Sequence, residues 1–251
     1  MTVTTATNAT DAKPRGRPVF LSAEWRHLVL ANYEADPAWL RPFIPAGTEL
    51  DLFGGKCFVS LVGFMFHKTK ILGILPAPGH ESFEEINLRF YVTRQDGAQV
   101  KRAVVFIKEV VPSRLLAWTA RFFYYENYVA RPTTHAIQDG QSIRYGWGGN
   151  SISCRLGPGR MEAAEESFER WITEHYWGYT RVTAGLTYEY EVRHPVWQLY
   201  PVESCEVKVG EERFYGNEFD RLLKQKPSSV FAAEGSPVTV HWPRRLKTVH
   251  Q

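Results

Sequence analysis

The sequence predicts an α+β fold, a curved antiparallel sheet or partial barrel carrying a few short helices. Three observations predict it. Apolar and β-branched runs of strand length recur along most of the chain, turn residues join neighbouring runs, and helical spacing appears only in brief stretches. No repeat or long linker interrupts the pattern, so a single domain over residues 18–242 is expected, with a disordered leader at 1–17 and a basic tail at 243–251.

Glu24–Tyr33 is aromatic and β-branched enough for the first strand. Asp36 then stands where a helix cap is needed, with Pro37 at the first helical position, Leu40 and Phe43 or Ile44 on one face, and Pro45 as the stop. Glu49–Phe53 and Lys56–His67 read as strands joined at Gly54-Gly55, and after a Pro/Gly loop (73–79) Glu84–Thr93 and Gln99–Val110 form a hairpin turned at Asp96-Gly97. Pro112–Tyr125 brings Leu115, Leu116, Trp118, Thr119, Phe122 and Phe123 round at helical spacing. Strands follow at 135–137, 142–147 and 151–156, then a helix over Ala163–Glu174 with Phe168, Trp171 and Ile172 inward. Strands at 178–183, 185–192 and 196–209, a short helix over Arg213–Leu223 and an extended piece over Val230–Trp242 complete the chain.

The charge balance is 30 Lys and Arg against 27 acids, a net +3, and the cations are dispersed. A nucleic-acid binder concentrates them on one face, so no nucleic-acid partner is expected, and the run from Pro243 to Lys247 reads as a solvated tail. No apolar run nears the ~18 residues of a membrane span, and the leader lacks the apolar core of a secretion signal. Cys57, Cys154 and Cys205 lack the close spacing of a zinc site or disulfide framework, which fits a reduced, cytoplasmic setting. The eight histidines are scattered. Dinucleotide, P-loop, zincin and nucleophile-elbow motifs are missing, and no metal or other cofactor is expected.

Five segments carry candidate chemistry. In a strand, Glu85, Asn87 and Arg89 share one face and Ile86, Leu88 and Phe90 the other, so the polar three line either solvent or a pocket. Lys108 and Glu109 end an apolar run, and one of them should point inward. A buried Lys has a lowered pKa and a usable amine; an exposed Lys or a Lys–Glu pair is the plain alternative. Tyr125, Asn127 and Tyr128 follow a helix and can orient a small polar ligand or simply form a rim of half-buried tyrosines. His175, Trp177 and His194 lie in two aromatic-rich segments, where a histidine serves as a base or as a satisfied structural residue.

The segment from Trp25-Arg26 to Pro45-Ala46-Gly47, the Phe83-x-Glu85-x-Asn87-x-Arg89 strand, the run from Val104 to Pro112, Tyr125-Glu126-Asn127-Tyr128, Glu174–Tyr179 and His194-Pro195-Val196-Trp197 together resemble the bacterial DUF2071 (YqjF-like) family. That family is thought to share the acetoacetate decarboxylase-like fold, and the chain resembles the decarboxylases more distantly. The resemblance implies that fold, with Arg26 as the family arginine and Glu85 as the family glutamate. Counting from Arg121, the decarboxylases' lysine pair falls on Tyr128 and Val129. The amine of a Schiff base is therefore missing, although Lys108 could reach the same pocket from a neighbouring strand. Two readings follow. In one the protein binds or turns over a small carboxylate or keto compound, with Arg26 holding a carboxylate or enolate, Glu85 moving protons and Tyr128 donating a hydrogen bond. Asn87, Arg89, Tyr125, Asn127, His175, Trp177 and His194 would then line the binding site. In the other, a non-catalytic binding or structural module keeps the scaffold and Arg26–Glu85 is a buried salt bridge. Homo-oligomers are known for decarboxylases of this fold, so self-association is a further expectation.

Overall fold

Gly97, at a positive φ that suits a residue without Cβ, turns the Phe83–Asp96 strand into the Gln99–Val111 strand, and their register runs back from Asp96↔Gln99 to Ile86↔Val110. This hairpin is one wall of a barrel. In this computed structural model, which describes residues 17–76, 79–210 and 213–246, the wall order is Ser229–His241, Val19–Ala35, Cys57–Ile71, Phe83–Asp96, Gln99–Val111, Trp177–Thr183 and Leu186–Arg193. The circuit closes where Val192 and Arg193 pair with Val240 and Thr239. Every junction is antiparallel except that between Gln99–Val111 and Trp177–Thr183. The expected curved sheet thus closes on itself, which removes its free edges.

A second sheet, ordered Val202–Lys208, Asn150–Leu156, Ser142–Trp147, Thr133–Gln138, packs against the outside of the barrel. Ile86, Leu88, Phe90 and Val92 face outward into a core shared with Tyr145, Trp147 and Ile152. The alternate residues Phe83 and Tyr91 face into the barrel with Leu30, Val62 and Val104. Wall strands buried on both faces explain why the sequence shows apolar runs there rather than clean alternation. Gly63 is required by this packing, because a Cβ would meet the Tyr145 ring at 2.6 Å.

The helices cap the barrel. Asp36 accepts from Ala38 N at 2.8 Å and starts Pro37–Leu40, which runs into a 3-10 turn, Arg41–Phe43. Ser113 caps Arg114–Tyr124, whose Leu116, Thr119, Ala120 and Tyr124 roof the barrel interior. The third helix is only Phe168–Thr173, because Ser167 caps it four residues after the expected start at Ala163, and the fourth is Asn217–Leu223. The expected 196–209 strand breaks at Pro201, and its halves, Gln198–Tyr200 and Val202–Lys208, join different sheets. Glu49–Phe53 contracts to Glu49–Leu50, with an isolated Phe53↔Lys56 bridge across the Gly54-Gly55 turn. The basic run near residue 244 is also not simply solvated: Arg244–Arg245 pairs with Tyr188 and Glu189, and Leu246 is buried. Residues 1–16 of the expected leader and 247–251 of the expected tail lie outside the described residues.

Candidate functional site

The barrel encloses a cavity of about 160 Å³, roofed by the Arg114–Tyr124 helix and walled mainly by aromatic and aliphatic side chains. A two-residue period puts Glu85, Asn87 and Arg89 on its wall while Ile86 and Leu88 go to the outer core. Of the alternatives left open by the sequence, the pocket lining is the one realised.

Glu85 is 3% exposed, and its carboxylate is held at both oxygens. Asn87 Nδ2 donates to Oε1 at 3.1 Å and the Tyr128 hydroxyl donates to Oε2 at 3.0 Å. Burial pushes this carboxyl up to about 7, against the opposing pull of the two hydrogen bonds and the Arg89 charge. Two further buried acids, Glu109 and Glu126, line the same cavity. Burial, then the neighbouring Glu126 and Glu85, hold Glu109 well above the usual carboxylate range, and its Oε2 has no hydrogen-bond partner among the described residues. Glu126 accepts from the Tyr190 hydroxyl at 3.0 Å and from Thr180 Oγ1, and burial pushes it up to about 8. Around pH 7 this wall therefore holds Glu85 near its midpoint beside a mostly protonated Glu126, a set that can both give and accept protons.

Arg89 supplies positive charge at a different point on the wall. It is 9% exposed; its Nε reaches the Tyr91 hydroxyl at 3.4 Å, and its terminal nitrogens have no hydrogen-bond partner among the described residues. His175 and His194 also line the cavity. His175 Nε2 lies 3.0 Å from Asp51 Oδ2 and 3.3 Å from Arg102 Nη2, burial brings the ring down to about 4, and Nδ1 is buried without a partner among the described residues. In the neutral tautomer that gives Nε2–H to the carboxylate, Nδ1 is an acceptor; in the one whose Nε2 accepts from Arg102, Nδ1–H is a donor. His194 is stacked on Trp197 at 4.1 Å and is likewise brought down to about 4, chiefly by burial.

The structure therefore brings Glu85, Asn87, Arg89, Tyr128, His175 and His194 together and places the other expected residues elsewhere. Arg26 is a correction. An extra residue at His27, φ 54, shifts the register between Arg26 and Val29, so that Trp25 and Leu28 both line the barrel. Arg26 instead binds Glu24 Oε2 at 2.9 Å, which also disposes of an Arg26–Glu85 salt bridge. Lys108 is a second correction: its amine reaches the Phe214 carbonyl and lies 4.4 Å from that ring's centroid, outside the cavity, while its neighbour Glu109 is the one that points in. No lysine lines the cavity among the described residues. Tyr125, in a left-handed helix-ending conformation, stacks on Tyr188. Asn127 donates to the Ile107 carbonyl at 2.7 Å, and Trp177 lies 4.0 Å from the Lys101 ammonium; all three sit off the cavity. Glu126 lies in the Tyr125–Tyr128 segment but carries no site role from the sequence, and Tyr190 has no sequence signal of its own. Only the pairing of Trp177–Thr183 with Gln99–Val111 and Leu186–Arg193 brings Tyr190 to Glu126. No group of three His, Cys, Asp or Glu side chains able to hold a metal occurs among the described residues.

The profile of the DUF2071 family, described as an uncharacterized conserved protein, matches residues 22–237. The chain is 27% identical over 193 residues to the uncharacterized protein YqjF of Bacillus subtilis (strain 168), covering 72% of this chain and 75% of that one. Among solved structures it is similar to acetoacetate decarboxylase from Legionella pneumophila (TM-score 0.65, 10% identity, 98% of both chains). It is also similar to an acetoacetate decarboxylase-like enzyme from Sphingomonas wittichii RW1 (TM-score 0.62, 11% identity, 97% of this chain and 100% of that one). A third is the enduracididine biosynthesis enzyme MppR complexed with pyruvate (TM-score 0.60, 11% identity, 94% and 93%). At these identities the likeness is one of fold.

Proposed function

Given that the chain belongs to the DUF2071 family and has an acetoacetate decarboxylase-like fold, we propose that it binds a small carboxylate-bearing keto compound and moves protons on it without forming an imine. The observation that carries this reading is Glu85, held between Asn87 and Tyr128 on the wall of a cavity that no described lysine lines. Tyr128 stands where the resemblance would put the first lysine of the decarboxylases. A phenol there cannot form a Schiff base with a carbonyl, yet it can donate a hydrogen bond.

The division of labour follows from the strand. Glu85 and Arg89 are four residues apart on one face, about 13 Å between Cα atoms at about 3.3 Å per residue. One stretch of wall thus offers an anion anchor and a separate proton-handling end. Arg89 takes the ligand carboxylate with its free terminal nitrogens, the role expected of Arg26. The apolar wall takes a body near the size of one ring, since a cavity of roughly 150 Å³ is known to hold benzene. Glu85 as carboxylate removes the proton beside the carbonyl. A protonated neighbouring carboxyl, Glu109 or Glu126, gives its proton to the enolate oxygen, so the sequence ends in the enol with Glu85 protonated, the donor ionised and no net change of charge. The pyruvate bound to MppR is a small keto acid on the same fold, which supports a ligand of this kind without fixing its identity.

Borohydride reduction in the presence of acetoacetate or phenylpyruvate tests the absence of an imine. Intact-mass measurement should show no covalent increment, and a reduced adduct on any lysine overturns the reading. Calorimetric binding of phenylpyruvate should be lost in Arg89→Gln and kept in Arg26→Gln; the opposite pattern removes Arg89 as the anchor.

A further inference from the structure

We propose that Cys154 and Cys205 are an oxidisable pair that closes to a disulfide on reaction with a small disulfide oxidant. The two residues are remote in sequence but are direct register partners across the Asn150–Leu156 and Val202–Lys208 strands. Directly opposed residues of an antiparallel pair have Cα atoms about 4.5–5.5 Å apart, inside the ~4.4–6.8 Å that a disulfide spans. The register is not free to slip, because Ile152, fully buried, pairs with Val207 two positions away in the same ladder. Both sulfurs are free thiols, and they differ in access: Cys154 is buried and Cys205 is half-buried. The Val202–Lys208 strand is the edge of its sheet, so the side chain a reagent meets first is that of Cys205.

The order of reaction follows. The Cys205 thiolate attacks one sulfur of the oxidant, forming a mixed disulfide and releasing one thiol. Cys154 then gives up its proton and attacks the Cys205 sulfur, forming the cross-strand bond and releasing the second thiol. Two protein thiols are oxidised and one small disulfide is reduced to two thiols. Cys154 suits the second role, since its hydrogen bond with Cys205 and its burial hold its proton until the outer sulfur has reacted. Cys57 is an internal reference: it is buried and donates to the Ala35 carbonyl at 2.9 Å, with no cysteine as a register partner.

The test is incubation of the folded protein with oxidised glutathione, followed by alkylation, thiol counting and peptide mapping by mass spectrometry. Titratable thiols should fall from three to one, with a linked 154–205 peptide and Cys57 alkylated. Cys154→Ser should stop at a glutathione adduct on Cys205, and Cys205→Ser should leave Cys154 free. Where either variant fails to fold, the wild-type peptide map alone decides. An unchanged thiol count, a lasting glutathione adduct on wild-type Cys205, or oxidation of Cys57 at the same rate overturns the proposal.

Discussion

Arg89 brings a full positive charge into an apolar barrel and keeps its terminal nitrogens unspent among the described residues, whereas Arg26 spends its guanidinium on Glu24 near the surface. The two arginines therefore have opposite expected fates. Arg89→Gln should weaken carboxylate binding by tenfold or more, the ~1.5–3 kcal/mol of a charge-assisted bond, measured by calorimetry. Arg26→Gln should change thermal stability by under about 1 kcal/mol, as for other partly exposed pairs. At this scale the sequence was half legible. Period-two alternation was enough to put Glu85, Asn87 and Arg89 on one face. It could not find Arg26's true direction, because one inserted residue at His27 inverts the parity of everything before it. A separate slip decides between Lys108 and Glu109: an extra residue at Ile107 puts Phe106 and Glu109 on the cavity wall and turns Lys108 outward.

Between elements, the site depends on close approaches that no local pattern announces. The Tyr190 ring lies across Gly178 on the paired strand, where any Cβ would collide with the ring and its hydroxyl. Gly178→Ala should push that hydroxyl off Glu126 and cost ~1–3 kcal/mol of stability, as overpacking does. Thermal denaturation would check the cost, and an unchanged Tm would remove the tight contact from the account. Element identity was readable where caps and turns spoke clearly: Asp36 and Gly97 sit at the predicted boundaries. It failed where tertiary pairing decides, as at Pro201, which splits one apolar run between two sheets. Closure of the barrel was out of reach for the same reason, since it rests on two residue pairs more than forty positions apart in sequence.

The whole molecule titrates in two opposing directions. Glu189 is fully buried and receives Arg17, Lys101, Tyr179 and Arg244; burial alone would raise it, but these partners together hold it below the usual carboxylate range. Its contribution is present above the unfolded pKa near 4.5 and is lost as pH falls through its lower folded value. Glu85 and Glu126 have folded values raised to about 7 and about 8. Their contribution is complete below about 4.5 and is lost as pH rises through 7 to 8. Stability should therefore fall as pH rises from about 4.5 to about 8, and Glu126→Gln should flatten that limb by up to a few kcal/mol, each pKa unit being worth about 1.4. Tm measured from pH 5 to 9 checks this; parallel curves for variant and wild type would contradict it. Glu189→Ala, which leaves Lys101 buried with a neutralising partner removed, should cost ~3–5 kcal/mol at pH 7, read from denaturant unfolding. The central claim is that an enolising carboxylate has replaced imine chemistry in this barrel. Proton NMR of phenylpyruvate in deuterium oxide, following exchange at the carbon beside the carbonyl, tests it most directly. Wild-type protein should accelerate exchange, and Glu85→Gln should lower that acceleration by ~10²-fold or more. Equal exchange by both proteins would contradict the claim.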